Sequence, residues 1–332
     1  MTQLIWLRRD LRVSDNTALS AAMAAGPTIA LFLLTPGQWR IHDDAPCKVD
    51  FWLRNLAELA TELRRLNVPL LIRHADDWQT VPAALRQVCH EHAVRAVHFN
   101  DDYGVDEQRR DHTVSEALHQ DGIITQRYLD RLLFAPGTLL TQSGGYFKVF
   151  GQFRKSCLAR LQLSLPPCLP PLAPQVPLAI TSDPLPTAVP GFAVPASTLQ
   201  ALWPAGEAHA YQRLTTFADE ALDDYQQRRD LPAEPGTSQL SPYLAAGVIS
   251  IRQCLHAALA GNRGELDSGS SGAVTWINEL LWREFYTHIL VGYSRVSMHR
   301  AFRAETEALP WRHAPDDLAA WQEGRTGFPI VD

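Results

Sequence analysis

The chain has 332 residues, 46% of them hydrophobic and 20% charged, with a formal net charge of −6. That length favours two domains with a sizeable core. The acidic balance excludes a general basic coat for nucleic acid, but not a local basic groove, because phosphate contacts act locally.

The N-terminus, MTQLIWLRRDLR, breaks its apolar run with charge almost at once and does not read as a signal peptide. Five β-rich apolar runs follow one another through residue 130: LIWL (4–7), TIALFLL (28–34), VPLLIR (68–73), AVHF (96–99) and ITQRYL (124–129). The Ile29–Leu34 stretch is far too short to cross a membrane. Helical patterns lie between the runs. In 49–66, Phe51, Trp52, Leu56, Leu59, Ala60 and Leu63 recur at three and four; 80–93 and 105–120 read the same way. Strand–helix alternation predicts a doubly wound parallel sheet, an α/β Rossmann-like domain over 1–130. The turn after the first strand, RRDLRVSDN, lacks the G-x-G-x-x-G that lets backbone approach a pyrophosphate, so conventional NAD binding is not expected there.

Residues 165–195 hold ten of the 23 prolines, which exclude helix and favour an extended linker. The interdomain connection is placed at 131–200. Beyond residue 200 the patterns are helical, at 208–230, 241–259, 273–293 and 315–324, predicting a mainly α-helical domain over 201–332. The last residues, TGFPIVD, read as a turn before a further apolar helix, so the helical domain is expected to be incomplete. The five cysteines, Cys47, Cys89, Cys157, Cys168 and Cys254, are odd in number and form no C-x-x-C pair. This speaks against zinc or a disulfide framework and fits a reducing cytoplasm.

Three segments could carry chemistry. In TWINELLWREFYTHI (275–289), ideal helical geometry with Trp276 at zero puts Glu279 near 300°, Trp282 near 240°, Arg283 near 340° and Tyr286 near 280°. These five share a stripe about 120° wide, while Ile277, Leu280, Leu281 and Phe285 occupy the other side. The stripe suits a pocket wall for a planar, partly charged ligand; an ordinary helix packed on both sides, with Glu279 and Arg283 as an i,i+4 pair, fits the spacing equally well. In GTSQLSPYL (236–244), Thr237, Ser238 and Ser241 stand where a helix begins. Simple capping is the first expectation, and an anion site for a pyrophosphate the second. In DDYQQRRD (223–230), Arg228 and Arg229 sit on a charged helix end that reaches phosphate or is merely solvated.

Together these segments resemble the photolyase/cryptochrome family. WLRRDLRVSDN (6–16), YFKVFGQF (146–153), Tyr225 with RDLPAEPGTSQLS (229–241), WINELLWREFY (276–286) and WQEGRTGFPIVD (321–332) are similar to family motifs and follow the family's order along the whole chain. The similarity is greatest to bacterial class I cyclobutane pyrimidine dimer photolyases. It implies light-dependent DNA repair: an antenna chromophore passes energy to reduced FAD, an electron reaches the dimer, the ring opens and the electron returns. It implies FAD contacts from Tyr225, the segment Thr237, Ser238, Gln239, Leu240 and Ser241, and from Glu279, Arg283 and Tyr286. Glu279 and Trp282 match residues facing the flipped-out dimer, Arg229 a DNA-backbone contact, and Trp311 the surface end of a flavin-reducing tryptophan chain. Trp276 and Tyr286 are expected as walls of the same cavity.

Asp106 and Glu107 match an antenna-contacting Asn-Glu pair with its first member changed, and Met298 stands where folate-binding relatives often carry lysine. The antenna is therefore left between methenyltetrahydrofolate and a deazaflavin. Damaged DNA is the implied partner, for a monomer with no membrane association. The rivals are a cryptochrome-type light sensor, against which Glu279 and Trp282 count, and an inactive remnant that retains little FAD because the family's C-terminal flank of the flavin pocket is not in the sequence.

Overall fold

A computed structural model describes residues 1–332. Strands β1 (Thr2–Leu7), β2 (Thr28–Leu34), β3 (Leu70–His74), β4 (Val94–Asn100) and β5 (Ile124–Tyr128) form one parallel sheet in the order β3-β2-β1-β4-β5. Each strand falls on one of the five apolar runs. Helices α1 (Thr17–Ala25), α2 (Pro36–Ile41), α3 (Pro46–Arg65), α4 (Val81–Glu91) and α5 (Val105–Gln120) fill the crossovers. Central β1 sets Leu4 opposite Ile29 of β2 and Val97 of β4.

Side chains alternate across a strand. Leu4 and Trp6 therefore enter a core of 17 buried residues completed by Leu85 and Val88 of α4 and Val114 and Leu118 of α5. Ile5 and Leu7 enter a core of 49 buried residues that runs on through Phe32 and Trp52 to Leu255, Ile277 and Leu281. The helical half is thus welded to one face of the sheet by a shared core, and does not hang from a linker.

Residues 131–200 also depart from a plain linker, because they contain α6 (Phe150–Leu163) and α7 (Ser197–Leu202). Proline is dense only from residue 166 onward, and Phe153, Cys157, Leu158 and Leu161 of α6 are free to recur at helical spacing and enter the large core. The helical half continues with α8 (Glu207–Glu220), α9 (Tyr225–Arg228), α10 (Ser241–Ala246), α11 (Ile251–Gly261), α12 (Ser271–Gly292) and α13 (Pro315–Gln322). The single pattern at 241–259 is two helices. Gly247 ends α10 at φ 68°, and Ser250 starts α11 with a capping box to Gln253.

The turn that lacks phosphate-binding glycines has another task. Buried Arg12 donates to both carboxylate oxygens of Asp130, at 2.8 and 2.6 Å, and to the Gly247 carbonyl at 3.0 Å. Arg252 of α11 donates to Asp15 at 2.9 Å and to Asp130 at 3.0 Å. Gly247 must be glycine, since a Cβ there would lie 2.0 Å from the Arg9 carbonyl oxygen. Burial opposes ionisation of Asp130, but Arg12 and Arg252 outweigh it and hold its carboxyl down at about 2. The first loop of the sheet is a docking surface for the helical half. All five cysteines are free, and no helix is long and apolar enough to cross a membrane.

Candidate functional site

The aliphatic side of α12 behaves as its spacing predicts: Ile277, Leu280, Leu281 and Phe285 are buried in the large core. Trp276 joins them. It is 3% exposed with its ring 5.0 Å from that of Phe217 in α8, so it is a core residue and not the expected cavity wall. At 0° it lies next to Leu280 near 40°, within reach of the buried side.

Glu279 is half-buried and ion-paired with Arg229, which closes α9. The Arg229 guanidinium lies 5.6 Å from the centre of the Tyr225 ring, and Tyr225 is itself buried. Trp282, half-buried, stacks on Phe150 with ring centroids 3.7 Å apart at 11°. Tyr286, 62% exposed, stands beside it at 5.4 Å and 24°. Glu279, Trp282 and Tyr286 thus share a face with Arg229 and Tyr225.

Arg283 points elsewhere. Its Nη1 donates to the Arg131 carbonyl at 2.6 Å, and it lines a cleft of about 550 Å³ between the two halves with Arg9, Asp106, Glu107, Ser297 and Met298. Burial, then the neighbouring Arg131 guanidinium, lower its pKa to about 10. Glu107 pairs with Arg9 at 2.8 Å, and Asp106 with Arg109 at 3.1 Å. Both carboxylates also complement the dipole at the start of α5. The structure therefore groups Arg283 with the antenna pair and not with the segment at 237–239.

Thr237, Ser238 and Gln239 line a separate depression of about 520 Å³ with Arg213, Arg228 and Phe217. Gly236 lets this segment press against α9, since a Cβ would lie 2.6 Å from that of Arg228. Gln239, held at φ 49°, accepts from Arg213 at 2.5 Å. The capping expectation fails: the N-cap of α10 is buried Leu240, and no side chain caps the helix. The hydroxyls of Thr237 and Ser238 and the amides of Ser241 and Tyr243 at the start of α10 therefore have no partner within the chain; Pro242 between them has no N–H. Unpaired donors beside two arginines fit the diphosphate of FAD. Ser241 faces away from them, into an apolar groove with Trp52, Trp203 and Pro242. Trp311 stands on the surface, 82% exposed.

Two residues escaped the sequence reading. Glu284 is fully buried and accepts from the amides of Leu133 at 2.7 Å and Phe134 at 3.4 Å, and burial pushes its carboxyl up to about 7. Its signal was a carboxylate set among Leu280, Leu281 and Phe285 on the aliphatic side. Phe150 had no signal beyond its motif. A third place is closed. Ligands of open α/β sheets sit beyond the carboxyl ends of the strands, at the switch point in strand order. Here Trp6, Trp39, Trp52 and Trp78 crowd that crevice, with Arg110 5.1 Å from the Trp6 ring centre and 4.7 Å from that of Trp78. They leave about 60 Å³.

The family described as DNA photolyase matches residues 3–174, and the FAD binding domain of DNA photolyase matches residues 276–332. The chain belongs to the DNA photolyase family. This photolyase is 38% identical to the deoxyribodipyrimidine photo-lyase of Salmonella typhimurium and 37% identical to that of Escherichia coli. In each comparison 100% of the chain covers 69% of the relative. Among solved structures, a class III photolyase from Agrobacterium tumefaciens superposes with a TM-score of 0.83 at 30% identity, over 99% of this chain and 67% of that one. A Synechocystis cryptochrome superposes at 0.81 over 99% of this chain and 69% of its own, but at 22% identity that likeness speaks for the fold alone.

Proposed function

We propose that this photolyase is a deoxyribodipyrimidine photo-lyase: it repairs cyclobutane pyrimidine dimers in DNA, using light and FAD. The observation that carries the reading is the grouping of Arg229, Glu279 and Trp282 on one face, with the open donors of Thr237 and Ser238 on the other side of α9.

A dimer reaches this face only by leaving the duplex stack, and a weakly stacked lesion makes that extrusion cheap. The indole of Trp282 offers a stacking plane, worth about 1–3 kcal/mol per base. The Glu279 carboxylate accepts a hydrogen bond from a pyrimidine N–H edge. Arg229 exchanges its partner Glu279 for a DNA phosphate, which frees that carboxylate. The hydroxyls of Thr237 and Ser238 hold the FAD diphosphate, assisted by Arg228, and Tyr225 packs α9 against Phe217 of α8. Reduced FAD, when bound, supplies the light-driven electron that splits the cyclobutane ring. The exposure of Trp311 supports its role as the residue that takes electrons from outside the protein.

The antenna chromophore belongs in the interdomain cleft, because the strand-end crevice is too small for a planar pigment. Asp106 and Glu107 suit the amine and amide edge of a pterin, which favours methenyltetrahydrofolate over a deazaflavin. Residues 1–130 form the antenna half and 201–332 the FAD half. The protein acts as a monomer in the cytoplasm, where a reducing medium suits its five free cysteines.

Blue-light treatment of dimer-containing DNA, compared with a dark control, tests the reading. Light-dependent restoration of intact pyrimidines is expected, and Glu279→Ala should lower the yield roughly tenfold, as for the loss of one hydrogen bond to a charged group. No repair by the flavin-loaded protein sinks the reading.

A further inference from the structure

The segment YFKVFGQF (146–153) has no role in the scheme above, yet with Arg154 it is fastened along the lesion-facing helix from Asn278 to Gly292. At one end Tyr146 lies against Gly292, where a Cβ would come within 2.3 Å of its ring, and its carbonyl accepts from the Tyr293 hydroxyl at 3.1 Å. At the other end the Arg154 Nε donates to Asn278 at 2.6 Å. In between, Phe153 is buried against Phe285 and His288, with centroids 5.4 and 5.0 Å apart. Phe150 is held over Trp282 by these neighbours and meets Phe285 edge-on at 5.8 Å and 69°.

We propose that Phe150 is the positioning residue for Trp282 in lesion recognition. The proposal rests on the repair reading above. At 3.7 Å and 11° the phenyl ring lies flat against one face of the indole. Phe285 meets the same indole nearly at right angles, 5.6 Å away at 77°. Rotation of the Trp282 ring is thereby blocked, and the face away from Phe150, flanked by exposed Tyr286 at 5.4 Å and 24°, is the one left to an extruded pyrimidine pair. An indole fixed in this way binds without the cost of ordering it on contact. Removing the covering ring frees both faces and several rotamers, and the loss falls on the lesion, which stacks, and not on undamaged duplex, which meets the protein through phosphates.

The test is binding in the dark. Purified protein supplied with FAD is titrated with a duplex carrying one thymine dimer, and with the same duplex undamaged. Phe150→Leu is expected to weaken dimer binding about 3- to 10-fold, the scale of ordering one large side chain. Undamaged binding should be unchanged, and Phe150→Tyr should restore the wild-type ratio. In light-driven repair, Phe150→Leu should raise KM with kcat unchanged. Equal weakening toward both duplexes, with a lowered melting temperature, would show a merely structural role and overturn the proposal. Unchanged discrimination would do the same. Tighter dimer binding would also overturn it, by showing that Phe150 occupies the lesion's own seat. Wild-type protein that repairs dimers while Phe150→Leu discriminates normally sinks this proposal alone; wild-type protein that neither prefers dimer DNA nor repairs it sinks the repair reading as well.

Discussion

The joint between the two halves and the outer face of α12 draw on the same residue types, and they use them oppositely. In the joint, Arg12, Arg252, Asp15 and Asp130 are buried and satisfy one another through several bonds each. On the face, Glu279 has Arg229 as its one ion-pair partner, with each side chain about a third exposed, Arg229 has besides it only solvent-exposed Asp230 at 3.4 Å, and the donors of Thr237 and Ser238 have no partner. A closed charge network specifies how elements dock. A charge with one removable partner is available to a ligand. Density of Arg, Asp and Trp does not separate the two cases, as the crowded strand-end crevice also shows; the degree of satisfaction does.

The comparison can be broken most easily at the joint. Asp130→Ala leaves two buried guanidinium groups short of a carboxylate and should cost about 3–5 kcal/mol in denaturant unfolding. Because the folded carboxyl is held at about 2, below its unfolded value of about 3.9, the stability it confers is full above the unfolded value and drains away as pH falls from about 4 to about 2. Glu284 sharpens the point, since it belongs to α12 but faces the interior. Its folded carboxyl, near 7, holds a proton that the unfolded chain releases near 4.3, so wild-type stability should decline by a few kcal/mol between about pH 4 and pH 7. Glu284→Gln should flatten that slope in melts across the range. The smallest effect belongs to the outer face. Arg229→Ala should change stability by no more than about 1 kcal/mol, as for exposed pairs, while reducing the slope of log affinity for DNA against log salt by about 1. A loss of stability as large as that of Asp130→Ala would erase the distinction between the two regions.

The sheet was legible because each strand is a β-rich apolar run bounded by a helix of clear period. The outer face was legible in part. Glu279, Trp282 and Tyr286 do stand together, but a stripe about 120° wide is broader than one pocket, so its edge residues went to other neighbours: Trp276 to Phe217, and Arg283 to the interdomain cleft. Periodicity assigns a side of a helix and is silent about what crosses it. The helix inside the expected linker was hidden by the prolines that follow it. The unmade cap of α10 was hidden because Ser and Thr before a helix look the same whether they bond its amides or leave them free. The contact of Phe150 with Trp282 joins residues far apart in the chain, which no local pattern reports.

The joint at Gly247 also bears on how the molecule is made. Asp15 and Asp130 belong to the half synthesised first, and their partner Arg252 follows much later. At about 5–20 residues per second, Arg252 leaves the ribosome roughly 6 to 25 s after Asp130. Through that interval Asp130 has Arg12 but not Arg252, and the core that Ile5, Leu7 and Phe32 share with α1 and α3 lacks the residues that α11 and α12 bring to it. The early half therefore leaves part of that core uncovered until α11 and α12 arrive. Once both are made, the shared 49-residue core and the buried charge network couple the two halves, which should unfold in one transition.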